Sequence, residues 1–393
     1  MRTLDKPVCT GCGACFSICP ISCISMKQDT EGFLYPVIDD TGCTQCKKCE
    51  KTCSSIMNKG VEHKPLNVYA AKNHNEEIRY QSSSGGIFSL LAESVIREGG
   101  VVFGARFNNT WEVIHEYTET IEALNVFRGS KYVQSITGDT YKQAKGFLEN
   151  SRKVLYSGTP CQIAGLKAFL KRDYDNILTL DFVCHGVPSP LVWKKYLGEV
   201  VNMPDAQILK IKFRDKKYGW KHYHFVLTYS DKGKQSLFIE ASTKNSFMKG
   251  FIQNLYLRPS CHNCPVKSLK SGSDITIADY WGIQDILPEF DDDKGISLVM
   301  TNTEKGEMIY RLINKADRKT TYAEAVLRNS CIEKSVFPHQ KRVLFFKKLH
   351  AEPIIPLVNR LTIDSQQSRF KSLAAALLRC FGLLTFAKSF LRK

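Results

Sequence analysis

The 393-residue sequence has no G-x-G-x-x-G fingerprint, no low-complexity tract and no recognised nucleic-acid-binding module. The first absence leaves nicotinamide binding in the Rossmann manner without support. The last argues against nucleic acid as a partner, although 55 Lys+Arg against 39 Asp+Glu give a formal charge of +16. Long apolar runs are missing too. Residues 1–10 are polar and lack the apolar core of a secretory leader, and residues 373–387 are too short and interrupted to span a bilayer. A reduced, cytoplasmic chain is expected, with no disulfide framework.

Cysteine, by contrast, is plentiful at 15 residues. Cys9-x2-Cys12-x2-Cys15-x3-Cys19-Pro20 is followed by Cys43-x2-Cys46-x2-Cys49-x3-Cys53. Eight thiolates in this order are the ligand set of two 4Fe-4S clusters, the fourth cysteine of each run binding the other run's cluster. Cys9, Cys12, Cys15 and Cys53 should hold one cluster, and Cys43, Cys46, Cys49 and Cys19 the second. Zinc also binds Cys-x2-Cys pairs, but it usually joins two pairs across a longer loop. Cluster charge changes the balance as well. Each four-thiolate cubane carries about −2, so two clusters leave about +12 and a third about +10.

Two to three domains are expected at this length. Residues 1–58 read as the double 4Fe-4S ferredoxin module and 59–65 as a polar connector. An α/β pattern fills 66–345, divided at 150/151, and 346–393 reads as a basic amphipathic helical tail. Strands are expected at 68–71, from 101, at 153–156 and at 177–183, with helices at 87–97, 141–150 and 162–171. Residues 208–213 and 223–229 look like antiparallel strands. Alternation of this kind, turning at glycine-rich corners, predicts an α+β or α/β fold with a layered α/β catalytic domain behind the ferredoxin module. From 340 onward eleven Lys/Arg face Glu352 and Asp364. The apolar, basic stretch 370–390 suits a docking helix or peripheral contact with an anionic membrane.

Six further cysteines lie outside the first module. Cys261-His262-Asn263-Cys264-Pro265 is a ligand-type corner, and Cys161 and Cys184 each follow a strand. These four suit a third 4Fe-4S cluster, although zinc or a pair of redox thiols would use similar residues. Cys23, Cys331 and Cys380 read as ordinary buried thiols. Three turns have the character of phosphate sites: Ser82-Ser83-Ser84-Gly85-Gly86, Gly129-Ser130-Lys131-Tyr132, and Ser157-Gly158-Thr159-Pro160 with Gln162 following. Each offers amides, hydroxyls or a cation near a helix start, as the pyrophosphate of FAD needs. Taken singly, each also reads as a helix cap. His185, after Cys184 at a strand end, and Lys131 are the candidates for direct chemistry, with a structural histidine the plain alternative for His185. Phe213-Arg214-Asp215-Lys216 and Asp279-Tyr280-Trp281-Gly282 place charge beside aromatics, and a surface ion pair explains the former equally.

The series S-S-G-G, G-S-K-Y-V-Q-S, S-G-T-P-C-Q-I-A-G-L, D-F-V-C-H-G-V-P-S, C-H-N-C-P and D-I-T-I-A-D-Y-W-G, behind a double ferredoxin, resembles the coenzyme F420 hydrogenase/dehydrogenase beta subunit family from Cys9 to about Thr301. The resemblance implies an iron-sulfur flavoprotein with FAD, passing electrons between clusters and a two-electron carrier or organic substrate. That family includes deazaflavin-reducing subunits and a chlorophyll-derivative reductase, and bacterial members of this layout are often linked to surface-polysaccharide gene sets. The double ferredoxin and the tail depart from the minimal deazaflavin subunit. The expected function is a flavin-dependent iron-sulfur oxidoreductase served by a redox partner protein or soluble carrier. Its rival is a non-catalytic electron-transfer subunit that docks on a partner enzyme. A regulatory redox sensor would need a partner- or DNA-binding module that is not visible.

Overall fold

The computed structural model describes residues 5–57 and 62–363. Strands β1 (Ile24–Gln28) and β2 (Leu34–Ile38) pair antiparallel in the N-terminal module. Asp29 sets their turn by accepting from the amides of Glu31 and Phe33, both at 3.0 Å, a side-chain substitute for backbone turn bonds. The short helices Ala14–Ile18, Lys48–Lys51 and Ser54–Met57 carry or flank the cysteine runs.

One eight-stranded sheet spans most of the remainder. Its strands are β3 (Asn67–Asn73), β4 (Val101–Phe107), β5 (Val113–Thr118), β6 (Val154–Gly158), β7 (Ile177–Phe182), β11 (Ile275–Asp279), β12 (Ser297–Thr301) and β13 (Lys315–Thr320). A separate three-stranded sheet holds β8 (Gln207–Asp215), β9 (His224–Asp231) and β10 (Lys234–Ala241). The large sheet runs in the order β13-β3-β12-β11-β7-β6-β4-β5, with β4, β6, β7 and β11 parallel and the other pairings antiparallel.

Side chains alternate across each strand, so the central strands feed two cores. Leu155 of β6 packs with helix Ile87–Arg97, while its neighbours Val154 and Tyr156 pack with helices Thr140–Glu149 and Pro160–Leu170. The layers are therefore helix, sheet, helix. The expected division at 150/151 falls within this one sheet, because β4 pairs with β6 across it. The antiparallel expectation for 208–229 is met by β8 and β9.

A third core joins Phe213, Phe225 and Leu227 of the smaller sheet to Trp193, Tyr196, Phe247 and Leu357. Phe345, Leu349, Ile354, Val358 and Leu361 belong to it too. The expected boundary at 345/346 thus cuts a packed unit, since residues up to 361 bury an apolar face worth about 1.5–3 kcal/mol per large side chain. The stretch 370–390 lies outside the described residues. Among the described residues no helix is long and apolar enough to cross a membrane.

Ligands in open α/β sheets gather at the carboxyl ends of parallel strands. Here those ends deliver Ser157 to Cys161 after β6, Cys184 and His185 after β7, and Tyr280 and Trp281 after β11.

Candidate redox centres

Cys9, Cys12, Cys15 and Cys53 line one cavity, together with Thr10, Met26, Pro36 and Ser55. This is the crossed set the spacing predicts. Burial raises the Cys12 thiol to about 11 and Cys15 further still, with neighbouring thiolates adding to both. A bare thiolate is unfavourable here, and a cationic iron core reverses that balance by deprotonating the thiols it binds. The donor set fits a cubane. Among the described residues, no three Cys, His, Asp or Glu side chains converge tightly enough to hold a single ion, so these thiols surround a space and not a point.

The second set is looser. A thiolate at Cys19 is felt by the more exposed Cys46, and Cys43 neighbours Cys23. Cys23 itself lies 3.4 Å from Cys19, sulfur to sulfur. The residue read from spacing as an ordinary thiol is therefore beside this set.

The third group comes from three separate segments. Cys161 opens helix Pro160–Leu170, Cys184 follows β7, and Cys261 and Cys264 lie in and just after the turn Pro259–Asn263. All four line a second cavity with Cys331, His185, Lys267 and Asp181. About 640 Å³ there is free of protein atoms, part of it open to solvent, against the ~30 Å³ that a water occupies. Burial pushes Cys184 and Cys261 to about 12 and raises Cys161 and Cys264. Thiols protected in this way are poor nucleophiles but suitable ligands once iron compensates their charge. The Val187 amide donates to Cys261 Sγ at 3.4 Å, a bond of the kind that tunes cluster potential. Lys267 Nζ bonds the carbonyls of Cys184 and Cys331 at 2.6 and 2.7 Å.

The two cavities are neighbours. Thr10 lines both, and a thiolate at Cys12 raises the pKa of Cys161. Their separation is set by Gly165, one helical turn beyond Cys161. A Cβ at Gly165 would lie 2.8 Å from Cys12 Sγ and 3.2 Å from the Tyr141 hydroxyl. Gly165→Val should therefore displace Cys12 and remove about four irons from the chain. Iron analysis of the purified variant checks this, and native iron content would exclude a tight approach here.

The N-terminal module is bound to the large domain through polar contacts. Gln134 Nε2 donates to the Thr10 carbonyl at 3.1 Å, and Arg342 forms a two-pronged pair with Glu31 at 3.1 and 2.5 Å. Arg258, 0% exposed, donates to the carbonyls of Cys9 and Leu34 at 2.8 and 3.0 Å, to Gln134 Oε1 at 3.0 Å and to Cys9 Sγ at 3.6 Å. Nothing in the local sequence distinguished this arginine.

The expected phosphate turns partly converge, since Ser130 bonds Ser83 Oγ through its amide at 2.7 Å and its hydroxyl at 2.9 Å. Most of their donors are engaged by the protein. The Gly85 amide donates to Ser297 Oγ at 3.0 Å and Ser84 Oγ to the Ile296 carbonyl at 2.7 Å. A Cβ at Gly85 would collide with the Ala71 carbonyl, so this glycine answers to close packing on β3 and β12. Thr159 and Gln162 form a capping box, with the Thr159 amide on Gln162 Oε1 at 2.9 Å. Gly158 and Pro160 are the strand end and first turn around it. Helix Ile87–Arg97 is different. It opens at Gly86 without a side-chain cap, leaving first-turn amides for an anion.

Lys131 bonds the carbonyls of Val126, Arg128 and Gly129 at 2.9, 3.0 and 3.1 Å, and burial lowers it to about 7. It caps the Glu122–Val126 turn. His185 faces the third cysteine group: Nε2 meets Asn254 Oδ1 at 2.6 Å and Nδ1 lies 3.7 Å from Cys331 Sγ. Tyr132 stacks on Phe251 at 4.8 Å. His115, which the sequence left unmarked, is lowered to about 4 by burial and bonds the Ser157 carbonyl at 3.0 Å. The expected surface ion pair at Arg214 is corrected. Its side chain is 2% exposed and pairs with Asp279, while the adjacent Asp215 takes Lys212 at 2.8 Å.

Fold and cysteine geometry together define an iron-sulfur protein of the electron-transfer type. Residues 8–56 match the 4Fe-4S dicluster domain, and residues 151–325 match the C-terminal family of the coenzyme F420 hydrogenase/dehydrogenase beta subunits. The chain belongs to the coenzyme F420 hydrogenase/dehydrogenase beta subunit family. It is 22% identical over 233 residues to the F subunit of the F(420)H(2) dehydrogenase from Methanosarcina mazei, covering 55% of this chain and 65% of that one. To the coenzyme F420-dependent sulfite reductase of Methanocaldococcus jannaschii it is 23% identical over 198 residues, covering 49% and 30%. It spans less than two thirds of either relative. A solved structure of the F420-reducing nickel-iron hydrogenase complex from Methanosarcina barkeri aligns with a TM-score of 0.46 at 17% identity, over 73% of this chain and 91% of that one.

Proposed function

We propose that this chain is an iron-sulfur flavoprotein oxidoreductase with three 4Fe-4S clusters. It moves electrons between those clusters and FAD, and by hydride transfer to or from a deazaflavin (coenzyme F420) or another organic substrate. The observation that carries this reading is the adjacency of the two cysteine cavities, which share Thr10 and are set apart by one turn of helix Pro160–Leu170. One-electron transfer between two clusters needs such proximity. A flavin supplies the conversion between single electrons and pairs, while the protein sets orientation and potential. Ser83, Ser84, Ser130 and the uncapped amides after Gly86 are the residues that would face its phosphates. The protein would act in the cytoplasm with a redox partner protein or soluble carrier.

A second reading, a non-catalytic electron-transfer subunit docking on a partner enzyme, draws on the turns whose donors the protein itself consumes, at Gly85 and Thr159. An iron, sulfide and flavin count on protein purified without oxygen separates the two. About twelve irons and one FAD per chain are expected for the oxidoreductase. About eight irons without flavin would select the electron-transfer reading.

A further inference from the structure

Arg214 is the second-last residue of β8, and its guanidinium is held from three sides. Nη1 donates to Asp279 Oδ2, whose partner oxygen Oδ1 accepts from Trp220 Nε1 at 3.0 Å. The rings of Tyr223 and Trp281 lie 4.4 and 5.1 Å from Cζ. Nε–H and Nη2–H remain, both buried and both without a partner. These two bonds lie on one edge of the planar group and point the same way. Buried charged donors are rarely left unpaired, because water has been removed and nothing has replaced it.

Nearby groups do not fill this edge. Both oxygens of Asp279 are engaged, and Asp215 is occupied by Lys212. The other cations here are already committed. Lys216 Nζ bonds the carbonyls of Arg79, Ser84 and Lys294 at 2.8, 2.7 and 2.9 Å, and Arg79 pairs with Asp292. The open edge is complementary to two oxygens of one carboxylate or phosphate, which accept parallel N–H bonds. Half-buried Tyr132 and Tyr223 stand close by. Tyr132 links the spot to Ser130 and hence to Ser83.

We propose that the Nε/Nη2 edge of Arg214 is an anion-recognition site, taking a carboxylate or phosphate of a small-molecule ligand, with Asp279 as the residue that positions it. This inference holds whether the anion belongs to a resident flavin or to a substrate.

The test compares Arg214→Lys and Arg214→Gln with the native full chain, purified without oxygen. Lysine keeps the charge but lacks the fork, so it remains informative should glutamine fail to fold. Flavin per chain, iron per chain and thermal-shift titrations with inorganic phosphate and with acetate are measured. If the anion is the flavin's phosphate, flavin falls in both variants while iron stays native. If it is a substrate's group, flavin is unchanged and the native response to phosphate or acetate weakens by about 10- to 100-fold. Native flavin content together with an unaltered, or uniformly absent, anion response would overturn the proposal. Iron per chain reports on the cluster reading separately, so the two can fail independently.

Discussion

Replacing Cys261 with serine lowers iron from about twelve atoms per chain to about eight, with the flavin retained. The expectation follows from how the third group is assembled. Cys161, Cys184, Cys261 and Cys264 come from two strand ends and one short turn, and they line one cavity. Losing one thiolate leaves three ligands and the Val187 amide without its sulfur acceptor. The N-terminal clusters should survive, because their eight cysteines all lie within residues 9–53 and none is shared with this cavity. Iron and sulfide analysis, with the flavin absorbance of the same sample, reads the result. Unchanged iron would remove the third cluster and assign these thiols to zinc or to redox chemistry.

A second large effect is expected at Arg258. Its guanidinium is buried, lies 4.2 Å from the centre of the Tyr35 ring, and donates to Cys9 through both the carbonyl and the sulfur. A positive charge and a donor at a cluster ligand favour the more negative, reduced state, so they raise the potential. Arg258→Met should lower the potential of the first cluster by on the order of 60 mV, the one-electron equivalent of a tenfold change. Arg258→Lys, which keeps the charge, should lose less. The same substitution leaves the carbonyls of Cys9 and Leu34 and the side chain of Gln134 short of a donor. Unfolding stability should therefore fall by about 2–4 kcal/mol. Potentiometric titration followed by electron paramagnetic resonance measures the first effect and denaturant unfolding the second. A native potential in a folded, fully loaded Met variant would show that the arginine only fastens the two domains together.

Much of the local structure was legible in the sequence. Helix Ile87–Arg97 matches its expected span because an apolar period of about 3.6 residues sits between glycine stops. Strands β6 and β7 begin within a residue of expectation because short apolar runs flanked by turn residues have few other uses. Other features had no local signal. Strands β12 and β13 reach β3 across more than 200 residues, and no periodicity records a partner at that distance. The turn at Gly85 looked like a phosphate loop because its composition suits one, yet its amide is taken by Ser297.

The first-module ligand sets are a matter of sequence alone. Two runs of four cysteines at short, repeated spacings leave the chain little choice about which thiols meet, and the cavity lined by Cys9, Cys12, Cys15 and Cys53 agrees. Only the tertiary structure could decide what adjoins them. It draws Cys161 to Cys264 across about a hundred residues, sets Cys12 against Gly165, and gives Arg214 to Asp279 instead of the neighbouring Asp215. The reason is physical. Spacing constrains groups that share one loop, whereas the partner of a buried charge or thiol is chosen by whichever distant strand end the packed sheet brings within bonding distance.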